Sequence, residues 1–214
     1  MSIYKILASL TFSFTTLISV PSHALLIGGP DIIAAPAFAT DDFPGAENFH
    51  QQAFNEQQNY LLTSDLQIDG GLISAGTTIS SHMIFLNTPV GQGGATDIAQ
   101  WLFDGIILGV MSDINGLLEA ASSYLGASGT SYPGSFRNRG LEANDSYAVA
   151  GNTIQVSMHV TEPGDWIRVI TASTTSVPEP TSLALFGLGL VGMRLFAKGR
   201  KIPGCSPCMR KNPA

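Results

Sequence analysis

Ser146-Tyr147-Ala148-Val149-Ala150-Gly151-Asn152-Thr153-Ile154-Gln155-Val156-Ser157-Met158-His159-Val160 is the stretch that decides the fold class. Ile154, Val156, Met158 and Val160 fall on one side of an extended chain; Thr153, Gln155, Ser157 and His159 fall on the other. A period of two marks a half-buried strand, because successive side chains point to opposite faces. Gly151-Asn152 is a two-residue connection back to Ser146–Ala150, so the stretch reads as a hairpin. Pro163-Gly164-Asp165 then turns the chain into a last strand, Trp166 to Thr171.

The same pattern recurs upstream. Asn59 to Asp69 alternates, with Tyr60, Leu62, Leu66 and Ile68 on one face, and Gly70-Gly71 turns the chain. Thr77 to Asn87 is apolar on both faces, which suits the centre of a sheet. Thr88 to Thr96 reads as a Pro/Gly loop. Gln100 to Met111 is apolar and β-rich, with Asp104-Gly105 marking a bulge or a turn. Ser112 or Asp113 is placed to cap a short helix, over which Ile114, Leu117, Leu118, Ala121, Tyr124 and Leu125 keep helical spacing. Gly126 to Gly140 is a long loop and a candidate binding loop, with Tyr132 its best ligand candidate. Trp101 sits in an apolar strand and reads as core. These elements predict a mainly β chain: an antiparallel β-sandwich, jelly-roll-like, with one short helix. The sandwich spans residues 51–172, after a lead-in over 25–50 and before a linker over 173–176.

Both ends of the chain read as sorting devices. Lys5 is the only charge before Asp31, and Ile6 to Val20 is apolar with scattered hydroxyls. Ser22 and Ala24 are small residues at the two positions a signal peptidase reads. Residues 1–24 therefore read as a signal peptide cut after Ala24. At the other end, Val177-Pro178-Glu179-Pro180 precedes an apolar run from Thr181 to Ala197 and then Lys198, Arg200 and Lys201. Two prolines cannot donate ladder hydrogen bonds and hold their neighbours extended. Seventeen residues span roughly 25 Å as a helix, a little short of a ~30 Å hydrocarbon core. The basic cluster fixes the cytoplasmic side. The prediction is a temporary transmembrane hold over 177–201, with residues 202–214 as a dispensable tail carrying Cys205 and Cys208.

Val177 to Lys201 resembles the PEP-CTERM sorting signal of exopolysaccharide-producing Gram-negative bacteria; the same segment is also labelled an ice-binding-protein C-terminal domain, a name that carries no ice-binding reading. The resemblance implies recognition by an exosortase, a membrane transpeptidase that cuts near Pro178-Glu179-Pro180 and sends the outer domain to the cell surface or matrix. His82–Asn87, Trp101–Asp113 and Val160–Thr171 are also similar to phrases in a group of PEP-CTERM proteins without an assigned activity. This chain departs from the usual pattern in continuing past the basic cluster.

Between Leu25 and Ser176 there are fifteen Asp and Glu against Arg137, Arg139 and Arg168, a local net charge of −12. Such a surface repels phosphates, which excludes nucleic acid as a partner. No cysteine precedes Cys205, so the exported part has no disulfide. Calcium takes several oxygen ligands from loops, and Asp104, Asp113, Asn115, Glu142 and Asp145 are the oxygen donors at hand. A plain solvated acidic face is the competing reading. His82 and His159 read as hydrogen-bonded strand histidines. No nucleophile elbow, zinc-protease motif or phosphate loop is present. The function expected is a non-enzymatic surface or matrix protein, structural or adhesive with exopolysaccharide. The alternatives are a calcium-dependent carbohydrate-binding module and, behind it, an enzyme acting on exopolysaccharide.

Overall fold

In the computed structural model the described residues are 24–39, 48–88, 93–133, 136–161 and 164–173, and strands make up most of the regular structure. In chain order the strands are β1 (Leu26–Gly28), β2 (Gln52–Asn55), β3 (Tyr60–Leu61), β4 (Leu66–Ile68), β5 (Gly71–Ile73), β6 (Thr78–Leu86), β7 (Ala95–Phe103) and β8 (Ile107–Met111). A short helix α1 (Leu117–Ala121) and a 3-10 turn (Ser123–Leu125) follow, then β9 (Ser146–Ala150), β10 (Thr153–Val160) and β11 (Asp165–Ala172).

The alternation of β10 is realised as read. Ile154, Val156, Met158 and Val160 are buried, while Gln155 and His159 are exposed. β10 lies between β7 and β9 in a sheet of order β1-β7-β10-β9. The second sheet runs β2-β6-β11-β8, with β3 also on β6 and β4–β5 forming a separate hairpin. All these ladders are antiparallel. Leu26, Trp101, Phe103 and the inward face of β10 meet Ala53, Ile84, Leu86, Val110, Ile167 and Val169 from the other sheet in one apolar cluster. Each such aliphatic side chain taken out of water contributes about 1.5–3 kcal/mol. β6 pairs β11 and β7 pairs β10, while β8 pairs β11 and β9 pairs β10, in different sheets.

Several boundaries differ from the expected ones. Asn59–Asp69 is not one strand but β3 and β4; its apolar set, Tyr60, Leu62, Leu66 and Ile68, still packs into one cluster. β7 starts at Ala95, inside the stretch read as a loop, because it pairs with β10 along the whole of that strand, Thr153 opposite Leu102 to Val160 opposite Ala95. Asp97 broke the inward pattern there; its Oδ2 accepts the Gln51 N–H at 2.7 Å. The stretch read as a lead-in supplies β1. Gly29, at φ +157°, lies so close to the Trp101 ring that a Cβ would stand 2.0 Å from it.

The two sheets are covered differently. β7 and β10 have one face toward solvent, whereas β11 is buried along all but its last residue. The far face of the β6–β11 sheet is roofed by two apolar clusters. One joins Ile79, Met111 and Ile170 to the β4–β5 hairpin and Leu125. The other joins Phe54, Met83, Phe85 and Trp166 to Ala39 and Phe136. Gly109 lets the hairpin close down, since a Cβ there would meet Ile68 Cδ1 at 2.4 Å. No described helix is long and apolar enough to cross a membrane; the expected span over 177–201 lies outside the described residues.

Candidate functional site

The chemistry of the domain concentrates under that roof. Arg168, on the outward face of β11, is 1% exposed and forms an ion pair with Glu56, which follows β2 and is also buried. Nε donates to Glu56 Oε2 at 2.7 Å and Nη2 donates to Oε1 at 3.0 Å. The fork matches a carboxylate edge, a geometry unique to arginine. Glu56 also accepts Ser81 Oγ–H at 2.5 Å and Tyr132 O–H at 2.8 Å. Nη1 of Arg168 reaches Ser122 Oγ at 2.6 Å and the carbonyls of Glu119 and Ser122. The carboxylate and guanidinium are thus saturated by one another and by the helix end.

Above this pair lies a cleft of about 260 Å³ lined by Ala120, Ser123, Tyr132, Pro133, Phe136 and Arg168. Tyr132, Phe136 and Trp166 form a tilted aromatic set beside it, with ring centroids 5.8–6.4 Å apart. The cleft offers aromatic edges and a serine hydroxyl, while its arginine is already engaged.

Glu119 of α1 is buried, and neither carboxylate oxygen has a hydrogen-bond partner. Burial above all, with the nearby Asp113 adding to it, pushes its carboxyl up to about 8, so near neutrality it holds its proton. His82 shows the opposite effect. It lies in the inter-sheet core against Phe103, between Asn55 Oδ1 at 2.8 Å and Thr171 Oγ1 at 3.0 Å. Burial lowers it to about 3, and it stays neutral. It is a hydrogen-bonded strand histidine, as read; His159 likewise bonds Thr96 Oγ1 through its ring.

The residues singled out from sequence are dispersed. Asp104 Oδ1 accepts the Leu25 N–H at 2.5 Å and so ties down the chain that leads into β1. Asp113 accepts the N–H groups of Leu117 and Leu118 at 2.9 and 3.0 Å and starts the helix. That helix is shorter than its spacing predicted, because the Ser122 hydroxyl turns back onto the Leu118 carbonyl and the chain tightens to a 3-10 turn. Glu142 and Asp145 do fall together: Asp145 Oδ2 accepts the Glu142 N–H at 2.7 Å, and Oδ1 accepts the His159 N–H at 2.6 Å. Five oxygen donors in one calcium cage is therefore not the arrangement found. Among the described residues no group of three or more His, Cys, Asp or Glu side chains is placed to hold a metal ion.

Tyr132 also differs from expectation. It is no projecting ligand platform: its hydroxyl accepts the Ala127 N–H at 2.8 Å and donates to Glu56. Burial, with the Glu56 charge adding to it, raises its pKa well above the usual phenol value. The loop closes over a core, and only its aromatic edges border the cleft. Ala24 is buried beside Gly105. Val177, Pro178, Glu179 and Pro180 lie outside the described residues.

Sequence reasoning missed Glu56, Glu119 and Asp165. One signal pointed to the first: Arg168 is the single basic residue inside an otherwise apolar strand, and a buried cation demands a carboxylate somewhere.

No curated protein and no solved structure matches the chain significantly. Residues 176–201 match the family model described as the PEP-CTERM protein-sorting motif, which implies export, membrane-anchored sorting and processing by an exosortase. On those residues the chain carries a PEP-CTERM protein-sorting motif.

Proposed function

We propose that this chain is a non-enzymatic surface or matrix protein, structural or adhesive in association with exopolysaccharide, delivered by its sorting segment and working through the sandwich. The observation that carries this reading is the pairing of a sorting motif at 176–201 with an upstream unit, Val20–Thr175, that builds its own core. Its best-placed ionic groups, Arg168 and Glu56, satisfy each other. Tyr132 and Phe136 line the cleft beside that pair, and the cleft is where a sugar would be held.

The test has two parts. C-terminal mass spectrometry of surface-fractionated protein should find chains ending near Glu179; intact Ala214 on most molecules would remove the exosortase step. Retention on beads of the producing bacterium's own exopolysaccharide should fall in Phe136→Ala relative to wild type. Equal and negligible retention of both removes the adhesive reading. A second reading, a calcium-dependent carbohydrate-binding module, is favoured by one observation: a buried carboxylate oxygen at the start of β11, Asp165 Oδ2, without a hydrogen-bond partner.

A further inference from the structure

The two larger sheets end on β1 and β9 and on β2 and β8. On β2 the Ala53 N–H donates to the Asp31 carbonyl at 3.1 Å, and the Ala53 carbonyl accepts the Ile33 N–H at 2.9 Å. On β8 the Val110 carbonyl accepts the Asp69 N–H at 2.8 Å. β1 is short and shifts register, and its Leu26 N–H donates to Asn55 Oδ1 at 2.9 Å. β9 differs from all of these. Among the described residues no hydrogen bond reaches its backbone except from β10. Ser146 to Ala150 include no charge, proline or glycine, and all but Tyr147 are exposed. Edge strands are ordinarily blunted by charge, proline, a bulge or a cover, and β9 has none of them. Val149 shows what is missing: it lies opposite Ile154, which is fully buried, yet it is 44% exposed.

The hairpin sets the direction of the free groups. Gly151-Asn152 joins Ala150 to its partner Thr153, with Gly151 at φ +66°. In a two-residue hairpin the closing pair exchanges hydrogen bonds, and the pattern alternates from there. Ser146, Ala148 and Ala150 therefore turn their backbone groups toward β10, while Tyr147 and Val149 turn theirs outward. The His159 N–H agrees with this phase: it points past the end of β9 and is taken by Asp145 Oδ1 at 2.6 Å. We propose that β9 is a self-pairing edge, at which two copies of the chain join antiparallel about a two-fold axis through Ala148. In that register Tyr147 faces Val149 of the second copy and Val149 faces its Tyr147, and each pair exchanges both backbone hydrogen bonds. An aromatic beside a β-branched side chain is a favourable cross-strand pair. Ala148 meets its own copy at the closely spaced position, where a small side chain fits. Charge selects the same occupant. The exported part carries −12, so two copies repel except across a neutral strip, and β9 is such a strip. Asp145, next to it, is turned back onto the N–H groups of Glu142 and His159, and stands opposite Gly151 of the second copy. A basic partner strand would find no carboxylate on β9 itself. The inference goes beyond the adhesive reading and stands without it.

The experiment uses the full-length chain in mild detergent, with Cys205→Ser and Cys208→Ser removing its native thiols. Ala148→Cys then places a thiol on the two-fold axis, where facing Cα atoms stand about 4.5 Å apart, within disulfide reach. An edge of this length makes a small interface, so the protein is held at ~0.1 mM. Copper-phenanthroline oxidation should yield at least about fivefold more dimer on non-reducing gels than Ile98→Cys, on the same outer face and 63% exposed. Any association through the sorting segment is common to both variants and cancels. Adding Val149→Lys, which charges the edge, should cut the Ala148→Cys dimer about fivefold while the melting temperature stays within about 2 °C. Equal cross-linking at positions 98 and 148, or none at position 148, overturns the self-pairing edge. So does a dimer that a folded Val149→Lys chain leaves intact. Where Val149→Lys melts early, the comparison of positions 98 and 148 decides alone.

Discussion

β10 and β11 are consecutive strands of equal length with opposite characters. β10 alternates between buried and exposed, and its outer side chains meet water. β11 is buried on both faces, yet it carries Arg168 near its middle and Asp165 at its start. The difference is one of cover: the sheet holding β10 has a bare outer face, while the sheet holding β11 is roofed by α1, the β4–β5 hairpin and the loop through Phe136. A charge on an exposed face costs little. Under a roof it must find a partner or give up its charge, and Arg168 and Glu119 show the two outcomes.

The sharpest way to break the comparison is to remove one member of the roofed pair. Arg168→Ala or Glu56→Ala should lose about 3–5 kcal/mol in chemical denaturation, since each leaves a buried charge alone. A loss under about 1 kcal/mol would mean that the roof is open to water. Next, Phe136→Ala strips the roof itself and should cost ~3 kcal/mol. Circular-dichroism melts of the two single variants and their combination would show strong non-additivity, because both act on one packed layer.

A smaller effect depends on pH. The Glu119 carboxyl rests near 8 in the folded chain against an ordinary 4.5, so the folded state holds a proton that the unfolded state releases. Its contribution is complete below about 4.5 and is lost as pH rises through about 8. Glu119→Gln should flatten that part of the stability profile and raise stability at pH 8. A profile parallel to wild type would place water at the carboxyl. The smallest change is expected on the bare face of β7: Ile98→Thr, at a side chain 63% exposed, should shift stability by less than ~0.5 kcal/mol.

Much of the strand map was legible from local periodicity. The β9–β10 hairpin, the centrality of β6, the Gly70-Gly71 turn and the burial of Trp101 all follow from patterns within a dozen residues. Asp97 hid the start of β7, because an inward aspartate is a legal strand residue only when a distant N–H donates to its side chain. Tyr132 was misread for a related reason. A tyrosine in a glycine-bearing loop looks exposed until the loop is seen to lie on a buried carboxylate 76 residues away in sequence.

The sequence alone determined what is local or global in character: the period-two strands, the antiparallel β class, the acidic balance of the exported part and the sorting motif near its end. Each depends only on near neighbours or on a sum over residues. The tertiary structure decided which side chains share a microenvironment: Glu56 with Arg168 across 112 positions, and Gln51 with Asp97 and Trp101. Ionic partnership is set by distance in space and by exclusion of water. Neither is encoded in spacing along the chain, so the residues that fill a roofed layer emerge only when the sheets close.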